Sequence, residues 1–310
     1  MIAPFVPAGS QTTPDSEYRG WLVLLPPRAR DYALLARLDR PIGWWLLFWP
    51  CAWGVLLAGE GTHWRLILWL LIGSIAMRGA GCVYNDIVDA DLDRQVARTA
   101  ARPVASGRVS KRAAWIWLLT LCGLGLIVLL QLRREAQMVA LGSLVLVTAY
   151  PFMKRITGFP QAWLGLVFTW GAPVGYVATR GFDDLRSLVA LYVGSVLWCI
   201  GYDTIYACQD REDDAMVGIG SSALTLGRHV KAGVAGFYAG AVVCWGLAVY
   251  LTLHDPLVLL ALLPVAAHLT WQVLTLQPED GANVLKRFRS NRFAGLLMAL
   301  ACFVVAATSY

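Results

Sequence analysis

The chain has 310 residues and a formal net charge of +6; 58% of its positions are hydrophobic and only 15% are charged. Soluble domains carry about a quarter charged residues, so this balance excludes an ordinary globular protein. The positive surplus reports membrane orientation rather than a nucleic-acid partner.

Residues 1–30 mix charges with Pro4, Pro7, Pro14, Pro26 and Pro27. They lack the positive start, apolar core and small-residue cleavage site of a signal peptide. The expectation is a poorly ordered tail leading into a surface helix that starts near Asp31, with 31–310 forming a single transmembrane domain. Nine apolar blocks then follow, at about 41–58, 64–84, 113–132, 136–153, 160–178, 187–207, 232–253, 256–276 and 293–309. Each is roughly 17 to 22 residues, the length at which a helix crosses a hydrocarbon core of about 30 Å. Backbone amides in lipid must be satisfied within the segment, so the blocks are predicted to be helices and the protein an all-α polytopic membrane protein. The loops after the second, fourth, sixth and eighth blocks hold most of the Lys and Arg, which places them and the N-terminus on the cytoplasmic side. The seven cysteines stand singly inside apolar blocks with no C-x-x-C pair, as small packing residues do rather than disulfide or zinc ligands. His268, alone in an apolar block, reads as a hydrogen-bonded packing residue.

The second block ends in Asn85, Asp86, Asp89, Asp91 and Asp93. At helical spacing Asn85, Asp89 and Asp93 share one face. Stacked acceptors repel one another unless a cation sits among them. Arg78, two turns earlier and within the apolar block, lies on nearly the same face; ionisable groups in lipid are costly and mark a polar interior. The sixth block ends similarly in "YDTIYACQDREDD", with Asp203, Tyr206, Asp210, Glu212, Asp213 and Asp214. Asp203 and Asp210 are seven apart and Asp214 is four beyond, so these three again share a face. Hard oxygen ligands of this kind suit Mg²⁺, which takes one or two carboxylates and completes its shell with water and substrate phosphate. Two such sites could clamp a diphosphate and neutralise a leaving group. Arg94, Arg98, Arg102, Arg108, Lys154, Arg155 and Arg228 can reach the same cytoplasmic mouth, and guanidinium forks recognise phosphate. Tyr150 and Lys154, four apart at the end of the fourth block, read either as an interfacial anchor or as donors to a phosphate or carboxylate. A transporter using the acids as a cation relay would need carboxylates near mid-span, whereas these crowd one end.

On these residues the chain resembles the UbiA-type family of intramembrane aromatic prenyltransferases, and within it the branch acting on 4-hydroxybenzoate in ubiquinone synthesis. The resemblance runs from about Arg37 to Phe303. It rests on "RLDRPIGWWLLFWP", "MRGAGCVYNDIVDADLD", "RTAARPVASG", "YPFMKR", "YDTIYACQDREDD", "IGSSALTLG" and "FRSNRFAG". The pattern N-D-x-x-D-x-x-x-D is met by Asn85, Asp86, Asp89 and Asp93. The pattern D-x-x-Y-A-x-x-D-x-x-x-D is met by Asp203, Tyr206, Ala207, Asp210 and Asp214, and Y-x-x-x-K by Tyr150 and Lys154. Asp91 is an extra acid with no counterpart in the pattern.

The resemblance implies nine transmembrane helices around a central cavity, capped on the cytoplasmic side by the acidic loops. It implies Mg²⁺ held by Asn85, Asp89, Asp93, Asp210 and Asp214. Arg78, Asp86, Arg94, Arg98, Arg102, Arg155, Asp203 and Tyr206 would bind substrate, with Asp89, Asp210, Arg155, Lys154 and Tyr150 as the catalytic set. The expected partners are a polyprenyl diphosphate, 4-hydroxybenzoate, membrane lipid and other enzymes of quinone biosynthesis. Homogentisate, a naphthoate, a haem or a chlorin are the alternative acceptors. A bacterial plasma membrane is expected ahead of a mitochondrial inner membrane.

Overall fold

The computed structural model describes residues 21–59, 63–95, 99–211 and 220–308, without the side chains of 21, 23, 151, 152, 154 and 155. Among these residues all regular structure is helical. The chain divides into two compact units, one of residues 1–44 with 75–127 and one of 45–74 with 128–310.

Among the described residues six stretches are long and apolar enough to cross a membrane: Trp64–Val88, Lys111–Leu129, Leu185–Ala207, Ser222–Leu253, Pro256–Thr275 and Gly281–Thr308. Ile42–Ala58 is a shorter apolar helix. The protein is therefore a multi-pass membrane protein.

In the first unit, α1 (Pro27–Leu35) opens with proline, whose fixed φ and missing N–H suit a first helical turn. It begins earlier than the expected start near Asp31. It ends in a Schellman arrangement: Arg37 N–H donates to Leu34 O and Leu38 N–H to Ala33 O, both at 3.0 Å. The residue at the left-handed position of that cap is Arg37, with φ 56°. Glycine is the usual occupant there because it has no Cβ to clash. The unit also contains the ends of α2 (Ile42–Ala58) and α3 (Trp64–Val88), the short α4 (Ala90–Asp93), and most of α5 (Lys111–Leu129). Leu35, Val83, Ala90 and Ala114 form its buried centre.

The second unit contains α6 (Arg134–Ile156), α7 (Pro160–Phe168), α8 (Gly171–Arg180), α9 (Leu185–Ala207), the short α10 (Ser222–Leu226), α11 (Val230–Leu253), α12 (Leu263–Thr275) and α13 (Gly281–Thr308). The block expected as one span at 160–178 is two helices. They part at Thr169 and Trp170, where Thr169 Oγ1 donates to Gly165 O at 2.8 Å. The last helix starts at Gly281, well before the expected 293, so Lys286, Arg287, Arg289 and Arg292 are helical rather than in a loop. The apolar period had faded there because Arg287, Ser290 and Asn291 occupy the buried face.

Trp53, Trp198 and Trp245 are fully buried and pack ring against ring, with centroids 5.0 and 5.3 Å from Trp53. Trp198 is thus a core residue. Its indole N–H donates to Asn291 Oδ1 at 2.9 Å, and Trp53 donates to Gly295 O at 2.9 Å. Tyr238 OH donates to Gln272 Oε1 at 2.9 Å, and Asn291 Nδ2 donates to the same oxygen at 3.2 Å. One buried polar network therefore ties α9, α11, α12 and α13 together, each donor matched as lipid requires. The cysteines are all free, and His268 Nε2 lies 3.2 Å from Ser290 O, in keeping with packing roles.

Candidate active site

In the first unit, α3 carries Asn85 and Asp86 in its last turn and stops at Val88. Asp89 sits at a bend with φ −91° and ψ 4°, the sparsely populated bridge region. Backbone bonds nevertheless run on in i to i+4 register, Asp89 N–H to Asn85 O and Asp93 N–H to Asp89 O, both 2.8 Å. Asn85, Asp89 and Asp93 are thus successive rungs of one hydrogen-bonded ladder across the bend. Asn85 and Asp89 are half-buried, while Asp86 and Asp93 are buried.

The two buried acids are held by arginines. Arg37 Nη2 contacts both Asp86 oxygens, at 2.8 and 3.1 Å. Arg102 Nη1 lies 2.8 Å from Asp93 Oδ2 and 3.4 Å from Asp86 Oδ1, bridging the two carboxylates. Burial, the largest single influence, disfavours the charge on Arg37, but Asp86, Cys82 and Asp39 together outweigh it, and the pKa rises above the ordinary guanidinium value. Arg37 is therefore a permanent cation. Charge-assisted bonds of this length in a buried setting fix both partners.

The remaining charges of this stretch point outward. Asp91 is exposed and pairs with Arg94 at 3.0 Å and Lys111 at 3.3 Å, which accounts for the extra acid as part of a solvated ion pair. Arg94 also donates from Nε to Ala105 O at 3.0 Å. Arg108 pairs with Asp31 at 3.0 Å and donates to Ala101 O, tying the loop back to α1. Arg78 lies half-buried against Gly43, where a Cβ would stand 2.7 Å from its Nε. Arg98 lies outside the described residues.

In the second unit, Asp203 and Tyr206 are half-buried on α9. The helix ends at Ala207, and Cys208, Gln209 and Asp210 donate their N–H groups to Ile205, Tyr206 and Ala207 in tightened i to i+3 bonds. The uninterrupted helical face expected from Asp203 through Asp210 is therefore broken at Ala207. Tyr206 packs on Phe288 of α13 with ring centroids 4.6 Å apart. Gln209 Nε2 donates to Gly281 O at 3.2 Å, and Arg211 pairs with Glu279 at 3.4 Å, so α13 begins beside this acidic stretch. Glu212, Asp213 and Asp214 lie outside the described residues.

Tyr150 is half-buried near the end of α6, and Lys154 and Arg155 occupy its last turn, their side chains outside the description. The segment that follows meets the return of the acidic loop. Thr225 Oγ1 donates to Gly158 O at 2.8 Å, Ser222 N–H donates to Gln161 Oε1 at 2.9 Å, and Ser222 Oγ lies 2.8 Å from Thr204 Oγ1 of α9. The end of α6, the start of α7 and the chain after the second acidic motif are thereby pinned together.

Among the described residues no three Asp, Glu, His or Cys side chains form a ready metal cage. Mg²⁺ needs only one or two carboxylates and draws its other ligands from water and phosphate. Asn85 and Asp89, half-buried on successive rungs, fit such a partial site. Asp210, half-buried on its bend, offers the same in the second unit. Arg37 carried no role in the sequence reading. Its signal was its place at the head of "RLDRPIGWWLLFWP", one of the stretches that carry the resemblance.

A sequence model of the UbiA prenyltransferase family matches residues 47–307. The mitochondrial 4-hydroxybenzoate polyprenyltransferase of Drosophila melanogaster is 41% identical over 275 residues, spanning 88% of this chain and 70% of that one. Among solved structures, an apo UbiA homologue from Aeropyrum pernix K1 superposes with a TM-score of 0.70 at 25% identity, covering 84% of this chain and 97% of that chain. A UbiA homologue from Archaeoglobus fulgidus bound to GPP and Mg²⁺ has a TM-score of 0.66 at 16% identity, covering 89% and 99% of the two chains, and shares the fold.

Proposed function

The chain belongs to the UbiA prenyltransferase family, and from that membership we propose that it transfers a polyprenyl group from a polyprenyl diphosphate to 4-hydroxybenzoate. The observation that carries this reading is the identity with a 4-hydroxybenzoate polyprenyltransferase over nearly the whole chain. The prenyl group goes to the ring carbon ortho to the hydroxyl, in ubiquinone synthesis.

The bond that breaks joins the allylic carbon to diphosphate, and the bond that forms joins that carbon to the ring. The ring then loses one proton, and diphosphate leaves. Mg²⁺, when bound, would offset the negative charge that collects on the departing diphosphate. In this reading Asn85, Asp89 and Asp93 of the first motif would hold one Mg²⁺, and Asp210 and Asp214 of the second would hold another. The metal-bound Archaeoglobus relative supports divalent metal use. Asp86 is too enclosed to meet a substrate directly; it acts by holding Arg37 and Arg102, so that positive charge is fixed beside Asp93 before substrate arrives. Preorganised charge of this kind favours the transition state because it needs no reorganisation as the bond breaks. Arg78, Arg94, Arg98 and Arg102 complete the cation set for the diphosphate, with Asp203 and Tyr206 shaping the pocket. Tyr150, Lys154 and Arg155 at the end of α6 serve the acceptor, Arg155 taking its carboxylate. The cavity must exclude water, which would trap the allylic cation.

The same reading takes 31–310 as one domain of nine transmembrane helices about a central cavity, with the acidic loops as a cytoplasmic cap. Other enzymes of quinone biosynthesis are its expected neighbours. The compartment is a bacterial plasma membrane or a mitochondrial inner membrane, and the Drosophila relative is a mitochondrial protein. The test is incubation of membranes containing the full chain with Mg²⁺, geranyl diphosphate and a panel of aromatic acceptors, followed by mass spectrometry. A 3-prenylated 4-hydroxybenzoate is expected. Prenylation of homogentisate or a naphthoate instead would replace the acceptor, and no prenylated product from folded protein would overturn the reading.

A further inference from the structure

The four cations near the start of α13 are not equivalent. Lys286 and Arg292 are exposed, and Arg292 lies over Phe293 with its Cζ 4.7 Å from the ring centroid. Arg287 instead turns in toward α12 and is only 7% exposed. Its Nε and Nη1 are enclosed and have no hydrogen-bond acceptor among the described residues, nor does any described carboxylate pair with it. One face of the guanidinium is covered by Trp271 of α12, Cζ to ring centroid 4.0 Å. His268, one turn before Trp271, is turned away by its contact with Ser290 O.

A cation–π contact satisfies the face of a guanidinium but not its N–H donors, which radiate in the plane of the group. A buried cation with unmet donors is among the costliest groups a protein can hold. An oxyanion fits these donors. The exposed side chains of α12 and α13 show the form in which that anion arrives. Trp271, Leu274, Phe293 and Leu296 are all exposed apolar side chains on these two helices. Both helices belong to the membrane-crossing stretches. An anion attached to an apolar tail satisfies the guanidinium and these side chains together, and basic pockets between membrane helices take lipid phosphates in this way.

We propose that Arg287 is the anion-binding residue of a lipid site between α12 and α13, receiving the phosphate of an anionic membrane lipid while Trp271 covers its face. The site is independent of which acceptor the enzyme prenylates.

Native mass spectrometry of the full chain with equal phosphatidylglycerol and phosphatidylcholine of matched acyl chains tests this. Wild type should retain the anionic lipid with about tenfold preference or more. Arg287→Gln should abolish the preference, and Arg287→Lys should keep part of it, having the charge without the fork. Lys286→Gln, which removes an exposed charge, should leave it within about twofold. An unchanged preference in Arg287→Gln overturns the site. So does the absence of any preference in wild type, which decides the matter even where the variant fails to fold. Inorganic phosphate that protects wild type from thermal unfolding as well as phosphatidylglycerol does would make the ligand a soluble anion and overturn the lipid assignment.

Discussion

Arg37 and Asp86 are joined across 49 residues of chain by contacts of 2.8 and 3.1 Å, and Arg37 holds this pair from a left-handed backbone conformation. A glycine would meet the backbone requirement without strain, so the side chain is retained at a conformational cost of about 1–2 kcal/mol. Breaking a buried pair by removing one partner costs about 3–5 kcal/mol. The lower end applies here, because Arg102 also reaches Asp86. Arg37→Ala should therefore lower unfolding stability in detergent by about 3 kcal/mol. Arg37→Gly should recover roughly 1 kcal/mol of that loss by relieving the backbone. Equal destabilisation by both would show that the left-handed conformation carries no strain.

Asp89 and Asp91 are two residues apart with opposite expectations. Asp89 sits half-buried at the bend on the ladder from Asn85, whereas Asp91 is exposed among Arg94 and Lys111. Asp89→Ala should reduce kcat/KM by at least about 100-fold, as loss of a charge-stabilising group at a reacting centre does. Asp91→Ala should change activity by less than about twofold and stability by less than about 0.5 kcal/mol, the scale of a surface pair. Turnover assays on both purified variants decide it, and comparable loss in both would refute the division of roles.

Asp210→Ala should resemble Asp89→Ala in abolishing turnover while the protein stays folded. Arg155→Ala should instead raise the KM for 4-hydroxybenzoate with little change in the KM for the prenyl donor. An unchanged acceptor KM would remove Arg155 from the carboxylate.

The network of Trp198, Tyr238, Gln272 and Asn291 makes a prediction about stability alone. Asn291 accepts from Trp198 and donates to Gln272, so Asn291→Leu strands two buried polar partners at once. A loss of about 2–4 kcal/mol is expected, from about 1–3 kcal/mol for each unmet group. Tyr238→Phe removes a donor that reaches Gln272 Oε1 at 2.9 Å and Asn291 Oδ1 at 3.4 Å, but each of these oxygens keeps another donor, so the loss is about 1 kcal/mol. Thermal unfolding of the two variants should rank them in that order.

What the sequence made legible follows from the range of each interaction. Helices were readable because lipid imposes a length and a composition on every span, and the ladder from Asn85 through Asp93 because its contacts are four residues apart. The partners of Asp86 were not readable: Arg37 and Arg102 lie 49 and 16 residues away, and nothing local links them. Asp91, an extra acid outside the pattern, had no role in the sequence until its exposure beside Arg94 and Lys111 gave it one. The start of α13 was missed for a related reason. Its buried face is polar, with Arg287, Ser290 and Asn291 satisfied or awaiting satisfaction by other helices, so apolar periodicity failed where tertiary contacts took over.

The close approach of α2 and α8 supplies a last test. A Cβ on Gly54 would stand 2.2 Å from Ala172 O, and one on Gly175 would stand 2.2 Å from Cys51 O. Both obstacles are backbone, which cannot rotate aside as a side chain does. Gly171 and Gly175 are four residues apart and on one face of α8, the small-residue spacing by which membrane helices pack closely without a hydrophobic driving force. Gly175→Ala must push the two helices apart or bend one of them, at a cost of about 1–3 kcal/mol or more. Gly236→Ala, on α11 with open space where its Cβ would lie, should instead be neutral or stabilising by up to about 1 kcal/mol. Opposite signs for the two substitutions in thermal unfolding are expected, and destabilisation by both alike would mean that helix contact at α2–α8 is not what restricts Gly175.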